Sequence, residues 1–223
     1  MRPALNFLLL GGALATASAV EAQSVEERTA FEMGARAGVS YPLGSSISGK
    51  ALADQVGPSF PFTFEIGARV LGRYELALVG QYALGTVSAL NASGCYTGNN
   101  ACTASVGQVG VEFLYHPLGL ARIDPFVGIG FGYEWLIARA TIGGKNNDLA
   151  VSGWNWLVLQ SGVEFPLGTL FRLGPYALLS MGQYQESSYT VTTAAGVQSG
   201  TSPIAHQAVH LWLSVGIRIV LLP

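Results

Sequence analysis

The stretch HQAVHLWLSVGIRIVLL, from His206 to Leu222, decides the fold of this chain. Its odd-numbered positions are almost entirely apolar: Gln207, Val209, Leu211, Leu213, Val215, Ile217, Ile219 and Leu221. Its even-numbered positions are Ala208, His210, Trp212, Ser214, Gly216, Arg218 and Val220. Because successive side chains of a β-strand point to opposite faces, the stretch predicts a strand with one hydrocarbon face and one mixed, more polar face. A strand of about 9–11 residues crosses the hydrocarbon core of a bilayer at a tilt, so this one is long enough to span a membrane and close a β-barrel.

The composition favours a membrane barrel over a soluble domain. Charged residues make up 11% of the 223 residues, where soluble domains have about 25%. No interior run of about 20 residues is uniformly apolar, as a membrane-spanning helix would require. A barrel whose strands turn every second side chain to lipid satisfies both observations. The net charge of −2 offers no basic surface, so nucleic acid is not an expected partner.

The N-terminal residues 1–22 have the pattern of a cleaved secretory signal. Arg2 supplies the positive start, a short apolar stretch follows, and small residues come next. Cleavage after Ala19 or after Ala22 fits the pattern, and we prefer Ala22. The alternative is an N-terminal membrane anchor, for which the apolar stretch is short. Residues 23–29 are polar and predict a flexible lead into a barrel formed by residues 30–223.

The chain has two cysteines, Cys95 and Cys102, in a stretch rich in glycine, asparagine and threonine. An exported protein meets an oxidising compartment, so the short spacing predicts a disulfide that pins a loop. A metal site would need more ligands than this pair provides. We expect no metal and no cofactor.

Seven earlier segments repeat the alternation of the last stretch, which makes eight strands in total. They run at about 31–41, 60–71, 74–85, 106–116, 127–135, 154–165 and 175–185. The connections alternate between long loops of about 14–20 residues and short turns of about 2–9 residues, as in bacterial outer-membrane barrels. The fold class is therefore an all-β, eight-stranded, antiparallel up-and-down transmembrane barrel.

Two segments leave the direction of their side chains open or unusual. In the segment at 175–185 we place Ala177, Leu179 and Met181 outward, although Tyr176, Leu178 and Tyr184 compete for that face. In the segment at 154–165 the alternation places Trp156, Gln160, Gly162 and Glu164 inward. The glycines Gly128, Gly130 and Gly132 lack the spacing of a nucleotide-binding loop, and we expect them to leave room for a large inward neighbour such as Trp156 or Trp212.

The closing strand also carries the most specific likeness to a known family. In Ser214-Val215-Gly216-Ile217-Arg218-Ile219-Val220-Leu221 a polar residue is followed by glycine two positions later and by hydrophobic residues at the sixth and eighth positions. Over residues 30–223 the chain resembles the small eight-stranded outer-membrane barrels of the OmpA, OmpW and opacity-protein type. That resemblance implies a monomer in the bacterial outer membrane, in contact with outer-membrane lipid, whose segment Ser214–Leu221 is recognised by the barrel-assembly machinery. Such chains commonly end in an aromatic residue, and this one ends in Leu222-Pro223.

The inward face of the predicted strands collects charged residues. They are Glu32, Arg36, Glu65, Arg69, Glu75, Glu112, Glu134, Glu164, His210 and Arg218. An eight-stranded barrel is only wide enough for side chains to fill it, and buried ions must pair, so we expect a lumen polar network of ion pairs. The alternative is a path for protons or ions through that network.

The expected function is a structural or surface-contact role without catalysis. The alternative is a narrow conduit or binding barrel for small or apolar solutes, in the manner of the OmpW type. A lipid-modifying enzyme using His206 or His210 is less expected, because neither histidine has a suitably spaced nucleophile and acid. A soluble lipocalin-like barrel is disfavoured because its exterior should be rich in charge.

Overall fold

The computed structural model describes residues 29–47, 50–88, 101–142, 145–193 and 196–222. These residues form ten β-strands and one short 3₁₀ helix, Leu52–Asp54. The strands are β1 (Ala30–Ile47), β2 (Lys50–Ala51), β3 (Val56–Val70), β4 (Tyr74–Val87), β5 (Ala101–Tyr115), β6 (Asp124–Ile142), β7 (Lys145–Leu167), β8 (Phe171–Thr193), β9 (Gly196–Pro203) and β10 (Val209–Leu221). In this part of the chain no helix has the length and apolarity to cross a membrane.

Several predictions concern residues beyond these ranges. The predicted signal peptide at 1–22, nearly all of the lead at 23–29 and Cys95 lie outside the described residues. The cleavage site and the Cys95–Cys102 disulfide therefore stay predictions. Cys102 itself is buried in β5.

Eight strands close into a ring. The order is β1, β3, β4, β5, β6, β7, β8 and β10, and β10 pairs with β1 to complete it. Each of these neighbours is antiparallel, which confirms the predicted up-and-down barrel. The turns at 71–73, 116–123 and 168–170 lie at one end, which we name the short-turn end. The opposite end, where the longer connections lie, is the loop end.

The outward face of the barrel is a continuous apolar surface. Phe64 is 72% exposed, and the same strands expose further aromatic and aliphatic side chains, among them Phe62, Leu78, Phe131 and Ile217. The odd positions of β10 point outward and the even positions inward, as predicted. Such a surface is stable only against lipid or detergent, since an aqueous surface of this kind would drive aggregation.

The facing of the segment at 175–185 is also confirmed. Tyr176, Leu178 and Tyr184 are buried in the barrel, while Ala177 lies exposed on the outer surface. The strand that carries them, β8, is longer than predicted and runs from Phe171 to Thr193.

The prediction for Trp156 was wrong. A β-bulge shifts the register between Asn155 and Leu157, so Asn155 and Val158 both point inward and Trp156 lies exposed on the outer surface. A bulge places two residues opposite one, and the alternation then changes phase. The residues after the bulge, from Val158 onward, again alternate as predicted.

The expected neighbours of the three glycines were also wrong. A Cβ atom at Gly128 would lie 2.9 Å from Cγ of Gln160, and one at Gly130 would lie 2.8 Å from Cγ of Glu112. The glycines therefore make room for polar side chains of the lumen and for the neighbouring backbone. Neither Trp156 nor Trp212 is among the atoms nearest to them.

The strands extend further toward the loop end than predicted. β5 begins at Ala101, β7 begins at Lys145, and β9 occupies much of the expected last loop. β9 pairs with the outer part of β8 and leads through residues 204–208 into β10, so Ile204 turns inward and is buried. Inside these extensions Cys102, Ala104 and Val151 are buried, while outward positions such as Thr103 and Ser152 are polar, so the outward apolar set ends before the strand does.

Candidate functional site

The polar side chains of the lumen form the candidate site, because the barrel wall buries them in its centre. The structure places all ten predicted residues inside, each at most 5% exposed: Glu32, Arg36, Glu65, Arg69, Glu75, Glu112, Glu134, Glu164, His210 and Arg218. Eight belong to one ion-pair network toward the short-turn end, whereas Glu134 and His210 belong to a separate cluster nearer the loops.

Arg218, on the closing strand, is the centre of the network. Its guanidinium donates to Glu65 at 2.6 Å and to Glu75 at 2.7 Å, and it also donates to Glu164. It lies over the ring of Phe126, with 5.2 Å to the ring centroid. A single cation therefore joins carboxylates from three other strands.

Arg69 likewise joins several carboxylates, closer to the short-turn end. Its Nε and Nη2 atoms donate to the two oxygens of Glu32 at 2.9 Å, which is the bidentate geometry that arginine favours with carboxylates. Its Nη1 atom donates to Asp124 at 2.9 Å. Arg172 lies beside the same group, with its Nε 3.3 Å from Glu164.

Arg36 forms the next layer of the network, on the side of Arg218 that faces the loop end. It donates to Glu112 at 2.9 Å and to the side-chain oxygen of Gln160 at 2.6 Å, while its Nε lies 2.7 Å from Glu65. Gln160 in turn donates to Glu112 at 2.7 Å. Since Glu65 contacts both Arg36 and Arg218, the two layers form one connected network.

The cluster nearer the loops is built around Glu134. This carboxylate accepts hydrogen bonds from Tyr184 at 2.5 Å, Trp212 at 3.0 Å and Asn155 at 2.8 Å. The His210 ring stacks on Tyr184 at 4.0 Å between centroids, and its Nε2 lies 3.4 Å from Glu134. No arginine contacts Glu134 in the described part of the chain.

An apolar layer covers this cluster toward the loops. Its members are Leu52, Val56, Ala83, Ala104, Val106, Leu136, Val151 and Ile204, packed with Tyr184 and Trp212. Leu52, from the 3₁₀ helix of the first loop, is fully buried there. The lumen is thus closed first by ion pairs and then by hydrocarbon.

Sequence reasoning missed several members of the site. Asp124 and Arg172 are buried in the network, although both lie just before the predicted strands at 127–135 and 175–185. Alternation along the strands would have revealed both residues. Asp124 has an even number, as do the inward residues Gly128 and Glu134 of the same strand, and Arg172 has an even number, as does the inward Tyr176. Extending the alternation backward would have placed both residues in the lumen.

His116 also belongs to the ion-pair network, through contacts that the fold creates. It follows β5 in the turn at 116–123, and its Nδ1 and Nε2 atoms lie 3.1 Å from Asp124 and 3.2 Å from Glu75. Burial alone disfavours the charged ring, but hydrogen bonds to these two carboxylates outweigh burial and the repulsion by Arg69, and they raise the pKa of His116 above 6.5. Both contacts are donated only when the ring carries two protons.

We expect the stabilisation by His116 to be lost as pH rises. A group whose pKa is raised by folding stabilises the folded state fully below its unfolded pKa, here about 6.5, and loses that contribution as pH rises through its folded pKa. His116→Gln removes the contribution, so the difference in free energy of unfolding between wild type and variant should shrink with rising pH. Urea unfolding in detergent micelles at a series of pH values measures this difference. A difference that stays constant with pH would contradict the assignment.

Ligand atoms of His116, Asp124 and Glu164 lie within 4.8 Å of one another, a spacing that suits a metal ion. Arg69 donates to Asp124, and both Arg218 and Arg172 contact Glu164. A divalent ion would have to displace these guanidinium groups. The arrangement therefore works as an ion-pair cluster.

Comparisons with known proteins agree with this geometry at the level of the fold. No protein-family model and no curated protein sequence matches the chain. The crystal structure of a major outer membrane protein from Thermus thermophilus is similar, with a TM-score of 0.58, 14% identity, and coverage of 86% of this chain and 99% of that one. The chain has the fold of the small outer-membrane β-barrels. A second such barrel, OprG from Pseudomonas aeruginosa, is similar with a TM-score of 0.51, 13% identity, and coverage of 87% and 97%.

Proposed function

We propose that the protein is an integral barrel of the bacterial outer membrane, monomeric and closed to ions, with a structural or surface-contact role and no catalysis. The observation that carries this proposal is a continuous apolar exterior around a lumen filled by ion pairs. The exterior would contact outer-membrane lipid, and Ser214–Leu221 would be the segment recognised by the barrel-assembly machinery.

Two successive layers support a closed lumen. Arg36, Arg69 and Arg218 are at most 3% exposed, so water and ions have little room beside them. An ion that passed this layer would still have to cross the apolar layer that contains Leu52 and Trp212. Moving an ion into such an environment without a partner is costly. A conduit through the lumen would therefore require both layers to rearrange.

The contacts of the candidate catalytic residues support a role without catalysis. Ser214 donates to Ser40 at 2.8 Å, so its hydroxyl is used within the wall of the lumen. His210 is fully buried beneath the apolar layer, and His206 is exposed in the segment that leads into β10. A nucleophile, a base and an orienting acid within hydrogen-bond reach would be needed for acyl transfer.

Fractionation and conductance together test the proposal. The mature chain should partition with the outer membrane and migrate faster on a detergent gel before boiling than after it, because the closed barrel resists detergent. In planar bilayers the purified barrel should give no single-channel steps, while a porin in the same apparatus does. Soluble behaviour without detergent would overturn the membrane assignment, and regular conductance steps would overturn the closed lumen.

A cavity at the loop end favours a second candidate function, the binding of small apolar solutes. It encloses about 590 Å³ between the first loop and the outward extensions of β5–β8. Half of its sixteen lining residues are aliphatic, and three of these, Val56, Leu136 and Val151, also belong to the apolar layer below. The lining also includes the charged residues Lys50, Asp54, Arg139 and Asp148. Pockets of about 300–1,000 Å³ with this character bind small ligands.

Filling the cavity tests this second function. Ala138→Trp would occupy the space, and Gly80→Trp would add the same ring at an outward position of β4 that has open space around it. Binding of naphthalene to barrels in nanodiscs is measured for both variants. Loss of saturable binding in the first variant alone would support the cavity, and equal uptake by both would count against it.

A further inference from the structure

The short-turn end exposes large apolar side chains where turns are usually polar. Turn residues are mostly Gly, Pro, Asn, Asp and Ser, since connections run over a solvated surface. Here every turn, or the strand end beside it, presents apolar side chains that are 41–59% exposed: Leu71, Leu118, Leu120, Ile123, Leu167 and Leu170. Contact with water alone gives no reason for such tips.

Among the described residues, the exposed charges at this end are positive. Arg73 and Arg122 are exposed, and the described residues supply neither of them with an ion-pair partner. At the loop end, by contrast, the solvent-reaching charges within the described ranges are balanced: Asp54, Asp148, Glu186, Lys50, Arg139 and Lys145. Within the described residues, the loop end is therefore neutral, while the short-turn end is cationic and apolar.

Backbone contacts hold the three turns together as one surface. The His116 N–H donates to the Arg73 carbonyl at 2.8 Å, which joins the first and second turns. Arg172 donates to the Ala121 carbonyl at 2.6 Å, which joins the second turn to the start of β8. The Leu222 N–H donates to the Leu170 carbonyl at 2.8 Å. These contacts hold the backbone of the turns that carry Arg73, Arg122 and the apolar tips.

We propose that the short-turn end binds anionic phospholipid headgroups, with its apolar tips at the boundary of the acyl chains and Arg73 and Arg122 on lipid phosphate. This inference rests on the proposed membrane function and adds the binding surface and the ligand class. Apolar tips are stable at that depth, and guanidinium groups bind phosphate with two parallel hydrogen bonds. Cationic side chains at a membrane surface favour anionic lipid. The positive charge and the apolar tips therefore both favour an anionic phospholipid.

Lipid selectivity in nanodiscs tests the proposal. The mature barrel is reconstituted into phosphatidylcholine mixed with phosphatidylglycerol, and native mass spectrometry counts the lipids that remain bound to it. Wild type should retain phosphatidylglycerol in preference to phosphatidylcholine. In R73Q/R122Q that preference should fall roughly tenfold, since each surface cation contributes to the attraction. Residues 23–29 are the same in both proteins, so their charges cancel in the comparison.

Two controls separate this site from other causes. Arg139→Gln removes an exposed arginine from the loop end and should leave the preference unchanged, and R73K/R122K should largely restore it because the positive charge remains. An unchanged preference in the glutamine double variant, or equal loss in Arg139→Gln, would overturn the proposal. Wild type that inserts, as its heat shift reports, but shows no preference would overturn it while leaving the membrane function intact. Failure to insert would overturn both.

Discussion

Replacing Arg218 with methionine is expected to destabilise the folded barrel by about 3–5 kcal/mol, because removal of one partner leaves buried charges uncompensated. Arg218 is fully buried and joins Glu65, Glu75 and Glu164, which no other single residue does in the described lumen. Methionine keeps much of the volume and adds no charge. Of their arginine contacts, the three carboxylates would then keep only those with Arg36, Arg69 and Arg172, which leaves an excess of buried negative charge.

The free energy of unfolding in urea, measured in detergent micelles, gives the effect of Arg218→Met. The matched control is Arg139→Met, which breaks the pair with Asp148 at 3.0 Å on the surface, where the arginine side chain is 60% exposed. Exposed pairs contribute about 0–1 kcal/mol, so the control should unfold nearly as wild type does. Similar urea midpoints for both variants would show that the lumen network contributes no more than a surface pair.

Replacing Gly216 with valine is expected to prevent closure of the barrel, at a cost of at least about 3 kcal/mol. Gly216 lies opposite Gly38 where β10 meets β1. A Cβ atom at Gly216 would lie 2.1 Å from the Ala37 carbonyl oxygen and 2.7 Å from the Gly38 Cα atom. These are backbone atoms of the neighbouring strand, so the strands themselves would have to move apart.

The heat shift on a detergent gel measures closure for this variant. Gly80→Val is the matched control, because Gly80 faces outward on β4 and a Cβ atom there meets nothing within 4 Å. The control should keep the fast-migrating folded band, and Gly216→Val should lose it. A folded band of normal intensity in Gly216→Val would mean that the two strands tolerate a wider separation.

The barrel and its inward charges were predictable because alternation is a local property. In the strands that cross the apolar band, outward hydrophobic residues occupy alternate positions. The positions between them point inward, which identifies residues such as Glu65 and Arg218 as lumen residues. Trp156 was predicted wrongly because a bulge exchanges the inward and outward positions of the strand. The amino-acid composition around a bulge does not reveal it. The strand extensions beyond the band were missed because outward positions such as Thr103 and Ser152 are polar there, so the outward apolar set no longer marks the strand.

The partners inside the lumen could not be predicted from the sequence. Which carboxylates meet Arg218 depends on the stagger between strands that are up to 153 positions apart in the chain. The contacts of His116 and Arg172 depend on how the short turns fold over the end of the barrel. The cavity at the loop end likewise depends on the first loop packing against four extended strands.

The place of Arg218 in the chain has a consequence for biogenesis. β10 follows all the other described strands in the chain, so a polypeptide that stops before it also lacks the one cation that joins Glu65, Glu75 and Glu164. The same thirteen residues therefore supply both the hydrogen bonds that close the barrel and the central cation of the network. Only a polypeptide that includes β10 can therefore both close the wall of the barrel and complete the ion-pair network in its lumen.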